Sequence, residues 1–146
     1  MISKTNERVK NAFDFFIKKF QLDVTILIFP LTKKQQKDYP SAVFLIVQSE
    51  RKLEDKTLFF IYFNEKTINK LSEDAIKKHA FHEILHIFTW DFTNEFAETI
   101  KYVKDKNLKD ELEKRHIDLR ENVVYRMERK LGKFILGKKI ADIVDP

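Results

Sequence analysis

The sequence predicts an α+β domain: an amino-terminal helix, a small sheet of three to four strands, and helices through the carboxyl-terminal half. Three observations carry this. Apolar residues recur at helical spacing over 4–20, three short runs rich in β-branched and aromatic residues follow, and after Phe63 the helical spacing returns and persists. With only 2 glycines and 3 prolines in 146 residues, turns are scarce and long regular elements should dominate. No internal repeat, low-complexity tract or flexible linker divides the chain, so 1–146 reads as one domain.

Val9, Phe13, Phe16 and Phe20 share one face of the first predicted helix. Strands are predicted at 24–29, which Pro30 closes, at 42–47 after a polar loop containing Pro40, and at 58–63 after a charged turn at 50–56. Their nearly continuous apolar character predicts a sheet at least partly covered on both faces. Ser72 is placed to cap the next helix, with Glu73 and Asp74 in its first turn, where the helix dipole favours negative charge. That helix should run to about Trp90 with Ile76, Ala80, Ile84 and Phe88 along one stripe. Thr93 is placed to cap a second helix carrying Phe96, Ile100 and Val103, which Asn107 ends. A third is predicted over 108–136, with Leu108, Leu112, Leu119, Val123, Met127 and Phe134 on its apolar side.

Composition narrows the chemistry. The chain has no cysteine, which removes a disulfide framework, a thiolate metal site and a cysteine nucleophile together. No apolar run approaches the ~20 residues of a membrane span, and the polar start Met1-Ile2-Ser3-Lys4 lacks a signal-peptide core. A cytoplasmic protein is the expectation. The net charge of +5 comes from 28 basic and 23 acidic residues that are interleaved nearly everywhere. It reads as a solvated surface and supports a nucleic-acid partner only weakly, even at the more one-sided Lys130, Lys133, Lys138 and Lys139. Nothing in the sequence sets the oligomeric state.

The chemistry concentrates at His82-Glu83-Ile84-Leu85-His86, an H-E-x-x-H pattern inside a predicted helix. Residues four apart lie on one helix face with Cβ atoms about 5–6 Å apart, so two imidazoles converge on one ion. Glu83 is turned about 100° from His82 around the axis, away from a ligand position but within reach of a water in the metal's open position.

On this motif, and on the order of helix, sheet, motif helix and helical second half, the chain resembles the zincin metallopeptidases. Its short length and polar start are similar to those of the compact minigluzincins and small phage-type metallopeptidases. The resemblance implies Zn2+ as cofactor, His82 and His86 as ligands, Glu83 as general base, and a peptide or protein substrate, cleaved internally more readily than from an end. It also implies that the strand before the motif helix, 58–63, borders the cleft and pairs with substrate.

The third ligand is open. Position 89 is Thr and position 92 is Phe, so the metzincin extension with its third histidine is missing. The remaining choice is a glutamate on a later helix, among Glu95, Glu98, Glu111, Glu113, Glu121 and Glu128. Glu95 and Glu98 leave little chain for a helix to return. Glu121, in Arg120-Glu121-Asn122-Val123-Val124, lies in the kind of stretch where similar gluzincin-like proteins carry this ligand, and Ile117 and Val124 would seat its side of the helix inward. His116, on the expected apolar stripe, is a core histidine, an alternative ligand or an oxyanion donor; Tyr125 is another candidate donor. His79 is a neighbour of the site or exposed, and Trp90 a packing residue. A domain of this kind could also be a silent peptide-binding module, its cleft closed by the basic tail after Gly132.

Overall fold

The computed structural model describes residues 3–143. Helix α1 (Lys4–Lys19) begins at Ser3, whose hydroxyl accepts from the Asn6 amide, and buries Val9, Ala12, Phe13 and Phe16. Strands β1 (Val24–Pro30), β2 (Phe44–Leu53) and β3 (Lys56–Phe63) form one sheet in the order β1-β3-β2. β1 runs parallel to β3, and β2 antiparallel to it. Pro30 closes β1 at a sheet edge, where a missing ladder donor is tolerated.

This topology corrects one expectation. The strand at 58–63 is not an edge but the centre of the sheet, and the free edge nearest the motif helix belongs to β2. Central position accounts for the unbroken apolar run of β3, since Phe59, Ile61 and Phe63 face the core while Leu58 is buried on the other side. The expected charged loop at 50–56 is also shorter. Glu54 and Asp55, both at positive φ, make a two-residue hairpin turn, and both strands run up to it.

Helices cover one face of the sheet. α1 packs on β1 and on α4 (Glu73–Phe88), and the shared core joins Phe13 and Phe16 to Phe44, Phe59, Ile61, Ile76, Phe81 and Ile84. The opposite face is only partly covered, with Leu27, Phe29 and Val47 half exposed; Phe29 there packs on Phe60 and Tyr62 at ring distances of 6.1 and 5.9 Å. Two short helices went unforeseen because each spans little more than a turn: α2 (Lys33–Asp38), started by a Thr32–Gln35 capping box, and α3 (Glu65–Lys70), capped by Asn64.

Ser72 caps α4 as its sequence implies, accepting from the Ala75 amide. The next boundary differs. α5 (Trp90–Ile100) follows α4 after Thr89 alone, and Thr93 is inside it, its hydroxyl donating to the Thr89 and Trp90 carbonyls. Asn107 sits in the first turn of α6 (Lys106–Ile135), whose cap is Asp105. The expected apolar stripe of α6 is only partly its covered face: Met127 packs against the core and Leu112 and Val123 are half-buried. Leu108, Leu119 and Phe134 are exposed, and Val124 and Gly132 are buried, because only the second half of α6 reaches α4 while the first half packs on α5. α7 (Lys138–Ala141) closes the described chain against α6 and α4. Among the described residues no helix is long and apolar enough to cross a membrane.

Two truncations test this packing. Phe81 is buried against Phe16 and Phe20, so Phe81→Ala should lower unfolding free energy by ~3–5 kcal/mol in urea denaturation. Phe134, 86% exposed, should change it by less than about 0.5 kcal/mol on truncation to Ala. The reverse order would show that α6 is rotated from the placement described.

Candidate metal centre

One side of α4 is committed to the core through Ile76, Ala80 and Ile84, all fully buried. The spacing of four that keeps those residues together also brings His82 and His86 together on the flank that faces α6. Val124 is fully buried in the shared core and fastens α6 at this crossing, with Met127 packed beside it. Glu121 is three residues before Val124, so it projects near the same side and meets the two imidazoles. Ile117, expected to help seat it, is exposed; Val124 is the anchor.

The three donors converge. His82 Nε2 lies 3.2 Å from His86 Nε2, Glu121 Oε1 is 3.3 Å from His86 Nε2, and Glu121 Oε2 is 3.7 Å from His82 Nε2. Ligands bound tetrahedrally at 2.0–2.2 Å are about 3.3 Å apart. His82, His86 and Glu121 therefore form a group that could hold one metal ion. The donor chemistry agrees, since two imidazole nitrogens and a carboxylate oxygen lie within 4.8 Å of one another.

His82 is oriented from its other side. Its Nδ1–H donates to Glu128 Oε1, so that in the neutral ring it is Nε2 that keeps a lone pair. Glu121 and Glu128 are seven residues apart, two turns along one face of α6, so one helix supplies the carboxylate at each ring nitrogen of His82. The other carboxylates once in contention are elsewhere: Glu95 and Glu113 are exposed, Glu98 pairs with Lys101 at 2.8 Å, and Glu111 with Arg115 at 2.8 Å.

The charges are tuned by burial. Burial pushes His86 down to about 4, and the positive charges of His82 and Arg120 act the same way, so it is a neutral imidazole at neutral pH. Burial opposes the charge on His82 as well, but the Glu128 hydrogen bond and the surrounding carboxylates outweigh it and raise its pKa. Glu83 lies beside these groups, and burial, with help from Glu121 and Glu128, pushes its carboxyl up to about 7. It lines a cavity of about 730 Å³ together with His82, His86 and Glu121. The far wall is residues Ser41, Ala42 and the start of β2, and Trp90 closes one end, its Nε1–H donating to Gln48 and its ring set edge-on to Phe59.

Of the two candidate oxyanion donors, Tyr125 lines the cavity, its ring edge-on to His82 at 5.8 Å. His116 does not. Its Nε2–H donates to the Thr93 carbonyl at 2.8 Å and its ring stacks on Phe96, in a separate groove between α5 and α6. His79 is half-buried and lines the cavity adjoining His82 and Glu83. Sequence reasoning missed the part taken by Glu128, although its spacing of seven from Glu121 was a usable signal. It also missed Arg120, which lines the metal cavity and has no sequence signal beyond adjacency to Glu121.

Comparison of the chain with protein-family models, curated proteins and solved structures finds no match.

Two outcomes follow from the site. Zinc titration of the metal-free protein should give about one ion per chain, with Glu121→Ala the most weakened, Glu128→Gln weakened ~10–100-fold, and Glu111→Ala unchanged. Equal affinity for Glu121→Ala and Glu111→Ala would remove Glu121 from the set. The second concerns metal-free stability. A carboxyl raised from 4.5 to about 7 resists ionisation in the fold, so folded wild type loses stability as pH rises through that window. Without metal, Glu83→Gln should melt above wild type at pH 8, and that advantage should vanish towards pH 4.5. A constant difference across this range would show that Glu83 ionises freely.

Proposed function

We propose that the chain is a zinc-dependent peptidase that hydrolyses internal peptide bonds. The observation that carries this is the half-buried Glu83 carboxyl beside the His82–His86–Glu121 group, on a cavity open to an unpaired strand edge. Two imidazoles and one carboxylate with room for a fourth ligand form a donor set that zinc takes in hydrolytic sites. Zinc bound there supplies an acidified water near pKa 7 and a positive charge for the carbonyl oxygen.

The chain's own residues supply the rest. β2 is paired with β3 on one side and offers its other edge to the cavity, so an extended peptide can add as a further strand, its main-chain N–H and C=O groups meeting those of 44–46. Glu83 accepts a proton from the attacking water. Once the carbon–nitrogen bond breaks, it returns that proton to the leaving amine. Glu128 holds the His82 ring in position throughout.

Glu83→Gln separates binding from chemistry. The variant should retain zinc and lose at least ~100-fold in the rate of hydrolysis across a peptide library. Hydrolysis at the wild-type rate would exclude Glu83 as the base. A zinc-loaded wild type that binds peptides and cleaves none would make the site a peptide-binding module.

A further inference from the structure

Arg120 is the one lysine or arginine in the lining of the metal cavity. Its Nε is buried and has no hydrogen-bond partner, and among the described residues no carboxylate or carbonyl pairs with the rest of its guanidinium. The side chain as a whole is half-buried, but a buried N–H donor left unpaired carries a desolvation cost that a bound acceptor would relieve. It precedes Glu121 on α6, about 100° around the axis, so while Glu121 turns to the imidazoles Arg120 reaches the wall shared with the α5–α6 groove. It shares the lining of this cavity with His82, Glu83, His86 and Glu121. The other two donor candidates are less suited. His116 is spent on the Thr93 carbonyl outside the cavity, and Tyr125 is neutral and more than half exposed.

We propose that Arg120 is a catalytic residue of the hydrolysis, donating to the oxygen of the scissile carbonyl as that oxygen becomes anionic. This rests on the peptidase reading of the same site. As the water oxygen bonds to the carbonyl carbon, the π pair moves onto the carbonyl oxygen and the water's proton passes to Glu83. The pair returns as the carbon–nitrogen bond breaks and the nitrogen takes that proton. Arg120 keeps all its protons, and its hydrogen bonds strengthen as charge develops and weaken as it disperses. A guanidinium suits the role because it cannot act as a competing acid.

The experiment compares wild type, Arg120→Lys and Arg120→Ala, each zinc-loaded and shown to be folded by thermal melting, on peptides carrying either a free or an amidated carboxyl end. Expected for Arg120→Ala is a ~100–1,000-fold fall in kcat with both ends and little change in KM. Arg120→Lys should fall between, and added methylguanidinium should restore part of the alanine variant's rate. A binding arm uses calorimetry with an amidated phosphonamidate dipeptide, whose tetrahedral anion mimics the charged oxygen, and the matching planar hydroxamate. Arg120→Ala should lose affinity for the first by a similar factor and keep it for the second. Wild-type kcat in Arg120→Ala would overturn the proposal and leave the peptidase reading standing. So would a KM rise confined to free-acid peptides, which would make Arg120 an anchor for the substrate's terminal carboxylate. A wild type that neither cleaves peptides nor binds the phosphonamidate would instead remove the peptidase reading, and this proposal with it.

Discussion

Everything at the site depends on one contact, the crossing of α4 and α6 where Val124 seats in the core. α4 alone brings together two imidazoles, and two imidazoles make a weak and incomplete set. The crossing adds Glu121 at Nε2 of His82 and Glu128 at Nδ1 of the same ring, so one helix both completes the donor group and fixes the ring that belongs to it. Because these carboxylates are two turns apart on α6, a rotation or slide that displaced one would displace the other. The site is rigid to the extent that the Val124 contact is rigid.

The same crossing explains an apparent extravagance. Glu83, Glu121 and Glu128 crowd around two histidines; burial raises the Glu83 pKa, while at His82 the Glu128 hydrogen bond and the surrounding carboxylates raise it against the opposing effect of burial. Like charges at this density are unfavourable in a metal-free fold. They are the arrangement that a divalent cation would relieve, and Arg120 supplies a smaller compensation from the adjacent position on α6. In the proposed mechanism, stability given up at the metal-free site returns as affinity for the ion and basicity at Glu83.

Local rules made half of this legible in the sequence. His82 and His86 share a face because of the helical repeat, and the Ser72 cap, the buried residues of α1, and the α4 stripe up to Ile84 follow from the same rule. Relations between elements were not legible. The apolar run at 58–63 looks the same in an edge strand as in a central one, and only pairing with both β1 and β2 settles its place. On α6, Leu108, Leu119 and Phe134 have the residue types of a buried stripe but stay exposed, while Val124 is buried in the core. Glu121 could be favoured from its setting, and its spacing of seven from Glu128 is visible in the sequence, yet that the two meet opposite nitrogens of the same imidazole needed the fold. Arg120 had no local pattern to reveal it.

The central claim is that His82, His86 and Glu121 together bind one ion and leave a position open beside Glu83. Zinc K-edge X-ray absorption on the zinc-loaded protein tests it most directly. The account requires a four-coordinate first shell at about 2.0–2.1 Å with two imidazole scattering patterns and light oxygen donors, and loss of one oxygen or its replacement by water in Glu121→Ala. A six-coordinate all-oxygen shell, a single imidazole, or a spectrum unchanged in Glu121→Ala but altered in Glu128→Ala would contradict it.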